Sequence, residues 1–298
     1  MSSFRSFFPA DPGFVMVEHD LSQAEARIVA ARANDFEMLK AFKDNIDVHS
    51  LRASMMFDKD YEWIVANKKN DKTEAPTLRY DAKRCVHAYN YGMREVLLQN
   101  LYARSGVKKT RTECKELLAK VEATSPATTA WHMWVENHLL SNAFTMNTVF
   151  GRQATFVARF RKKGRLHDAV LRKAYAFEPQ STVGDALNFG LYRTWCAIQA
   201  GEFDPWPVHL LTQVHDSISY ETPKEALEYV VPKIAKLLLI PLDIRNTRIV
   251  IPVETKIGPN WGELEEVKEF AAADKDLEIK EVKIGDDYFD GTAWRFAK

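Results

Sequence analysis

The sequence predicts a mixed α/β (α+β) protein that combines a small β-sheet with a long, mostly helical segment. The stretch "GFVMVEHD" (13–20) is an apolar run that ends in an acid, which is typical of a buried strand. In "HLLTQVHDSISYE" (209–221), two alternating runs meet at His215 and Asp216, which predicts a buried β-hairpin with a charged tip. Apolar residues recur at helical spacing from Leu78 onward, which predicts a group of amphipathic helices.

The other elements follow from composition and spacing. Further helices are predicted at residues 22–34, 78–106 with an interruption at Gly92, 110–126, 127–143 and 185–201. Two short strands joined at Gly151 are predicted within residues 145–160. The charged stretch 58–76 ends in Pro and is predicted to be an exposed loop.

Composition places the chain among ordinary globular proteins, since 46% of its 298 residues are hydrophobic and 28% are charged. The chain has no apolar run of roughly eighteen residues and no signal-peptide core, so we expect no membrane partner and a cytoplasmic location. Three widely spaced cysteines match no zinc pattern. The charges sum to zero, but residues 263–298 carry a net −5 and residues 1–262 therefore +5, which permits a nucleic-acid partner.

Asp20 and Asp216 each lie where a predicted strand ends. Carboxylates at strand ends can meet at one edge of a sheet, where two of them can hold a pair of divalent cations about 3.5–4 Å apart for phosphoryl displacement. Taken alone, aspartates at strand ends are more often turn formers. Both interpretations stay open on this pattern alone.

A second pattern lies in "RYDAKRCVHAYNYGM" (79–93). Arg79, Lys83, His87 and Tyr91 are spaced by four and therefore share one stripe of a helix. Arg and Lys one turn apart can clamp a polyphosphate, and a tyrosine at the end of the stripe can offer its ring to a base. The alternative is an exposed basic helix whose His and Tyr pack against a neighbour.

Five stretches of the chain resemble motifs of family A DNA polymerases, the DNA polymerase I-like family, and occur in the family's order. "DLSQAEARIVA" (20–30) resembles the first palm motif, "RYDAKRCVHAYNYG" (79–92) the fingers helix and "QVHDSISYE" (213–221) the second palm motif. "PQSTVGDALNFG" (179–190) resembles the stretch that reaches the primer–template, and "VETKIGPNWGE" (253–263) the closing segment. The pattern "HA-x-NYGM" resembles phage-type members.

The resemblance implies a right-hand polymerase fold, with a palm built on an antiparallel sheet and mostly helical fingers. It places the palm at residues 1–35 and 166–262, the fingers at 36–165 and an acidic C-terminal tail at 263–298. The implied activity is template-directed DNA synthesis, in which deoxynucleotides (dNTPs) are added to the 3′ end of a primer on a primer–template DNA.

By resemblance, Asp20, Asp216 and the backbone carbonyl of Leu21 hold two Mg²⁺ ions, for which Mn²⁺ is a substitute. One ion activates the primer 3′-hydroxyl, and the other neutralises the pyrophosphate leaving group. Lys83 contacts the phosphates as a catalytic residue. Arg79 and His49 hold the triphosphate.

The resemblance also assigns residues to the sugar, the base and the DNA. Glu25 excludes a ribose 2′-hydroxyl and pairs with Tyr91. The other nucleotide-binding residues are Gln23 and His87, and the DNA-binding residues are Arg172, Gln180 and His215. Ser22 and Glu25 also fit a capping box, in which Glu25 would only tie down the start of its helix.

Three departures from the family pattern stand out, and one of them is that the charged loop between His49 and Lys83 is longer than usual, which bears on the assignment of His49. His87 lies where most members have Phe or Tyr, which leaves sugar discrimination open, and Ser217 lies where many have Glu. A single-subunit RNA polymerase shares the two aspartates and the basic helix, but Glu25 argues against it. A catalytically silent DNA-binding scaffold derived from a polymerase is the other alternative, and the intact set of acidic and basic residues argues against it.

The first palm motif begins at residue 20, whereas family members place a thumb and further palm strands before it. We therefore expect this chain to be one piece of a split polymerase or a truncated form. A second polypeptide would carry the thumb, and an exonuclease domain is a further candidate for a part of that polypeptide. The acidic tail, with its alternating "LEIKEVKI" (277–284) and its aromatic residues up to Phe296, is the expected docking segment.

Overall fold

The computed structural model of the protein describes residues 4–161, 164–245 and 247–273 and three short strands between residues 282 and 295. The chain divides into two compact units. The first, here the sheet unit, comprises Met1–Glu25 and Ser181–Lys298, and the second, here the helical unit, comprises Ala26–Gln180. The limits given above for palm, fingers and tail stay predictions.

Strands and helices are numbered in chain order within the described residues. The strands are β1 (Phe14–Leu21), β2 (Thr145–Asn147), β3 (Gln153–Thr155), β4 (His209–Val214), β5 (Ser217–Pro223), β6 (Pro241–Ile244), β7 (Thr247–Val250), β8 (Val253–Gly258), β9 (Glu265–Glu266), β10 (Val282–Ile284), β11 (Asp287–Phe289) and β12 (Trp294–Arg295). The helices are α1 (Ala24–Ala33), α2 (Phe36–Lys43), α3 (Val48–Phe57), α4 (Tyr61–Asn67), α5 (Ala75–Asn90), α6 (Glu95–Arg104), α7 (Arg111–Ala123), α8 (Pro126–Ser141), α9 (Asp168–Gln199) and α10 (Leu227–Leu237).

The sheet unit is built on an antiparallel sheet with the strand order β4–β5–β1–β8–β9. β1 is the central strand and pairs with β5 on one side and with β8 on the other. Its middle residues, from Met16 to His19, are buried, as the apolar run in the sequence predicts. The predicted combination of an antiparallel sheet with many helices is confirmed.

His19 links β1 to both of its neighbouring strands. Its Nδ1 lies 3.0 Å from Oγ1 of Thr255 on β8, and its Nε2 lies 3.0 Å from the hydroxyl of Tyr220 on β5. Burial lowers the pKa of His19 to about 3, so its ring is neutral near pH 7. A neutral imidazole has one donor and one acceptor nitrogen, and a hydroxyl can complement either of them.

The predicted hairpin forms between β4 and β5, with His215 and Asp216 in the turn. The expectation of a fully buried hairpin is wrong for β4. β5 is buried along almost its whole length, whereas most of β4 is exposed, because β4 lies at the edge of the sheet. The pairing register also shifts between Leu210 and Thr212, where a β-bulge interrupts the alternation.

The helical unit contains α2 to α8 and the short hairpin β2–β3; α5 to α8 and the hairpin follow the predicted order, whereas α2 and α3 were not predicted. One buried cluster includes Trp131, Leu139 and Tyr175, and another includes Cys85 and Tyr102. Both clusters draw their side chains from several helices. The apolar stripes read from the sequence are therefore core-forming faces.

The prediction of an exposed loop at residues 58–76 is wrong, because this stretch contains α4. The carboxylate of Asp60 caps the helix by accepting the backbone N–H of Trp63 at 2.7 Å. Ile64 is fully buried and packs into the cluster with Cys85. The apolar stripe of α4 covers less than two turns, so the charged residues around it dominate the sequence pattern.

In the C-terminal tail, β10, β11 and β12 form a three-stranded antiparallel sheet. Residues 274–281 and 296–298 lie outside the described residues, so most of "LEIKEVKI" and Phe296 do too. The docking role of the tail stays a prediction. In the described part of the chain, no helix has both the length and the apolar character needed to cross a membrane.

Two glycines of α9 make a matched test of packing in the sheet unit. A Cβ at Gly190 would lie 2.7 Å from Cδ2 and 3.0 Å from Cα of Leu238, whereas a Cβ at Gly184 would meet nothing within 4 Å. We expect Gly190→Ala to destabilise the protein by about 1–3 kcal/mol through overpacking. We expect Gly184→Ala to stabilise it by about 0.5–1 kcal/mol through helix propensity.

Urea unfolding of the two variants beside the wild type measures both effects. The two substitutions add the same methyl group to the same helix, so their difference isolates the contact with Leu238. Equal midpoints for the two variants would contradict the described packing of α9 against this leucine.

Candidate active site

The antiparallel register of β1 and β5 brings Asp20 and Asp216 to the same end of the sheet. Asp20 on β1 lies opposite Ser217 on β5, and Asp216 directly precedes Ser217. The backbone N–H of Leu21 donates to the carbonyl oxygen of Asp216 at 2.9 Å. Two carboxylates that are far apart in sequence therefore lie together at the tip of the hairpin.

The two carboxylates repel each other electrostatically. The pKa of Asp20 rises to about 7, first because the group is largely buried and then because of the charge of Asp216. Two further acids add to the repulsion, Glu254 from β8 and Glu18 from β1, while Lys256 opposes it. This end of the sheet therefore carries an excess of negative charge.

Such a set of carboxylate oxygens fits a divalent cation. Hard cations such as Mg²⁺ prefer carboxylate and carbonyl ligands, and a bound cation would offset the charge that raises the pKa of Asp20. Sequence reasoning missed Glu254, which lies opposite Asp20 in the pairing of β1 with β8. Only that register could have revealed it, because Glu254 is far from Asp20 in sequence.

Another group of potential metal ligands in the described residues lies towards the other end of the β1–β5 pairing. Asp11, His209 and Glu221 have ligating atoms within 4.8 Å of one another. His209 Nδ1 lies 3.0 Å from one oxygen of Glu221, and the backbone N–H of Asp11 donates to the other at 2.9 Å. The carboxylate of Glu221 is thus already paired with His209 and with the backbone of Asp11, which is the pattern of a structural tie.

In the helical unit, α5 carries Arg79, Lys83 and His87 on one stripe, as the spacing by four predicts. The guanidinium of Arg79 forms two hydrogen bonds to the carboxylate of Asp47, from Nε and from Nη2, each 3.1 Å long. Lys83 and His87 are exposed. Asp47 was not singled out from the sequence, because its partner lies 32 residues away.

His49 lies on α3, close to the basic stripe of α5. Its pKa is lowered to about 4, mainly by burial and then by the positive charges of Lys83 and Arg79. Asp47 works in the opposite direction but does not compensate for them. The fold therefore brings the three predicted phosphate-binding residues together at a positively charged place on the helical unit.

The far end of the stripe borders a cleft of about 380 Å³. The predicted site residues that line it are His87, Tyr91, Arg172 and Gln180. Asn100 and Arg104 of α6 line it as well and were missed, since nothing in the sequence links α6 to this place. The rings of His87 and Tyr91 meet edge to face, with centroids 4.9 Å apart.

Gly92 ends α5 with a positive φ of 63°. A Cβ at this position would lie 2.8 Å from the ring of Tyr175, so the close approach requires glycine. The positive φ and the close approach to Tyr175 explain why glycine follows tyrosine in the stretch "YG" (91–92). The glycine lets the chain turn directly after Tyr91.

The remaining predicted residues belong to the sheet unit. His215 in the hairpin turn and Gln23 before α1 are exposed, and both have positive φ angles, 55° and 51°. Glu25 lies in the first turn of α1 and is half-buried. The helix begins at Ala24, and the hydroxyl of Ser22 donates to Glu254 at 2.5 Å, while the capping box of Ser22 and Glu25 stays open as an alternative role for Glu25.

The family model for DNA polymerase family A matches residues 1–263. This chain belongs to DNA polymerase family A. The resemblance read from the five motifs is thereby confirmed, while the likeness to phage-type members of family A stays a prediction.

Curated relatives within family A include DNA polymerase I of Chloroflexus aurantiacus, which is 25% identical over 271 residues, covering 87% of this chain and 25% of the relative. DNA polymerase I of Pseudomonas aeruginosa is 26% identical over 262 residues, covering 87% of this chain and 26% of the relative. This chain thus spans about a quarter of the length of these relatives.

A solved structure similar to this family A chain is the POL domain of Pol1 from M. smegmatis in complex with DNA primer-template and dNTP. The similarity has a TM-score of 0.68 at 20% sequence identity and covers 87% of this chain and 42% of that one. The predicted polymerase fold is confirmed by this likeness.

The raised pKa of Asp20 leads to a stability prediction. The folded protein favours the protonated carboxyl up to about pH 7, whereas the unfolded chain ionises near pH 4. Ionisation of Asp20 therefore costs folding free energy, and this cost grows as the pH rises between those values. We expect Asp20→Asn to raise the Tm at pH 8 and to change it little at pH 4.

Thermal unfolding followed by circular dichroism at the two pH values measures this difference, in buffers without divalent cations. Glu265→Gln is the control, because it removes an exposed carboxylate of the same unit and should leave the Tm unchanged at both pH values. A Tm of Asp20→Asn that equals the wild-type value at pH 8 would contradict the described repulsion.

Proposed function

We propose that this chain catalyses template-directed DNA synthesis, adding deoxynucleotides to the 3′ end of a primer by two-metal-ion nucleotidyl transfer. The observation that carries the proposal is the pairing of Asp20 with Asp216 at one end of the sheet, in a chain of DNA polymerase family A. In a two-metal site, the protein supplies a pair of negatively charged carboxylates that bind the two cations.

Asp20, Asp216 and the backbone carbonyl of Leu21 would be the protein ligands of the metal ions. Mg²⁺ is the proposed metal, with Mn²⁺ as a substitute. When bound, the ions would supply positive charge that activates the primer 3′-hydroxyl and offsets the charge on the leaving pyrophosphate. Asp20 would then stay ionised at neutral pH, because a neighbouring cation lowers a carboxyl pKa.

The triphosphate of the incoming nucleotide would bind to the basic stripe of the helical unit. Lys83 supplies an ammonium group and acts as a catalytic residue, since it faces the charge that develops on the phosphates. Arg79 supplies a planar fork of donors that matches phosphate oxygens. His49, neutral near pH 7, contributes a hydrogen bond and no charge.

The cleft beside Tyr91 is proposed as the place of the base and the DNA. His87 offers an exposed ring there, while the ring of Tyr91 borders the cleft but is mostly buried in the core. Arg172 and Gln180 offer a cation and an amide to the DNA backbone. In the sheet unit, we assign Gln23 and Glu25 to the nucleotide and His215 to the primer end. Glu25 would exclude a ribose 2′-hydroxyl.

The proposed partners are primer–template DNA and dNTPs, the molecules bound in the similar M. smegmatis structure. A second polypeptide with the thumb and a cytoplasmic location stay predictions. The RNA polymerase and the silent scaffold remain the alternatives that the experiments below exclude or support.

Asp216→Asn is expected to reduce metal-dependent primer extension at least about a hundredfold, because it removes a charged ligand that no neighbour replaces. Single-nucleotide incorporation on a labelled primer–template, with Mg²⁺ and with Mn²⁺, measures the rate. Glu265→Gln, which removes an exposed acid of the sheet unit, should keep the wild-type rate.

Extension by Asp216→Asn at the wild-type rate would refute the two-metal assignment. A wild-type chain that extends no primer with either metal, even when the other polymerase parts are supplied on a second polypeptide, would favour the scaffold alternative.

Glu25→Ala is expected to relax sugar selection, because it opens the space that a 2′-hydroxyl would occupy. The ratio of ribonucleotide to deoxynucleotide incorporation should rise by about tenfold or more, which corresponds to the loss of roughly 1.4 kcal/mol of discrimination. Competition between the two nucleotides on one template measures this ratio. An unchanged ratio with a lowered Tm would assign Glu25 to helix stability instead, and a wild type that prefers ribonucleotides would favour the RNA polymerase.

A further inference from the structure

Asp47 joins three helices of the helical unit through its carboxylate. It caps α3 by accepting the backbone N–H of Ser50 at 3.2 Å. It accepts both hydrogen bonds from Arg79 of α5. It also accepts a hydrogen bond of 3.0 Å from Nζ of Lys68, the residue that follows α4.

Lys68 and Arg79 are therefore held side by side. Nζ of Lys68 and Nε of Arg79 both contact the same oxygen of Asp47, Oδ2, so they lie within two hydrogen-bond lengths of each other. Lys68 comes from the stretch for which the sequence predicted a loop. The formation of α4 is what delivers its ammonium group to the basic stripe.

One carboxylate does not balance these cations. Lys68 and Arg79 contact Asp47, and Lys83 acts on the nearby His49 but forms no ion pair or hydrogen bond with any described residue. Burial is the main cause of the lowered pKa of the nearby His49, and the charges of Lys83 and Arg79 lower this pKa further, because Asp47 does not cancel them. A purely structural tie would need only one cation for one carboxylate.

A polyphosphate suits this excess charge. Its adjacent phosphate groups present several anionic oxygens a few ångströms apart, and charge-assisted bonds to Arg and Lys are the common means of binding them. Asp47 would keep Arg79 and Lys68 ordered in the absence of the anion. Less side-chain entropy would then be lost when the anion binds.

We infer that Lys68 is a further phosphate-binding residue, which Asp47 holds beside Arg79 to form a three-cation site for the triphosphate together with Lys83. This inference rests on the proposed function, in which a nucleoside triphosphate is the substrate, and adds to its site the residue that follows α4. Lys68 binds phosphate and positions no reacting atom.

The test measures binding of inorganic tripolyphosphate to the full chain by isothermal titration calorimetry, without divalent cations. Lys68→Gln is expected to weaken binding about three- to tenfold, the effect of one partly exposed charge-assisted contact. Lys68→Arg should retain the wild-type affinity within about twofold, because it keeps the charge. Lys69→Gln is the matched control, since it removes the exposed neighbouring lysine, and should bind like the wild type.

A second measurement is made on the wild-type chain, and a variant serves only to assign one resonance. Bound tripolyphosphate should raise the pKa of His49 by about one unit, since it neutralises the cations that oppose protonation. The histidine resonances are titrated by NMR with tripolyphosphate and with sodium chloride of equal ionic strength. The His49→Gln variant assigns the resonance.

Equal affinities of Lys68→Gln and Lys69→Gln, or an unmoved pKa of His49 at saturation, would overturn the inference. These outcomes differ from failure of the proposed function. If the chain binds tripolyphosphate through Lys68 but extends no primer, the phosphate site stands and the proposed polymerase activity is wrong. If the wild-type chain extends primers but Lys68→Gln binds tripolyphosphate as tightly as the wild type, the proposed activity stands and the inference about Lys68 is wrong.

Discussion

The pairing of β1 on both of its edges is the constraint on which the acidic site depends. Side chains of a strand alternate between two faces, so a slip of one residue in either pairing would turn Asp20 to the other face of the sheet. The bonds from His19 to Tyr220 and to Thr255 oppose such a slip on both sides at once. His19, a buried polar residue that fixes the register of both strand pairs, thus lies directly before Asp20, the candidate catalytic residue.

The helical unit builds its site by a different means. There one helix, α5, presents the predicted residues in a row, and neighbouring helices add to the row from the side. Asp47 caps α3 and His49 lies on it, Lys68 follows α4, and Asn100 and Arg104 come from α6. Periodicity within one helix can be read from the sequence, but contributions from its neighbours depend on packing.

This difference explains what the sequence could predict. The strand before Asp20, the hairpin at Asp216 and the stripe on α5 are local patterns, and all three are present in the structure. Glu254 and Lys68 were missed because each meets its partner only through tertiary contacts, across a strand pair or between helices. α4 was missed because its one buried residue, Ile64, gives a weaker signal than the charges around it.

The exposed edge strand β4 has a consequence for self-association. Its outer backbone groups could template the addition of a strand from another molecule, which is how edge strands start aggregates. The β-bulge between Leu210 and Thr212 breaks the regular spacing of those groups along the strand. A strand added at this edge would find its ladder interrupted after two residues, so the irregularity protects a sheet that must leave its hairpin tip open to solvent.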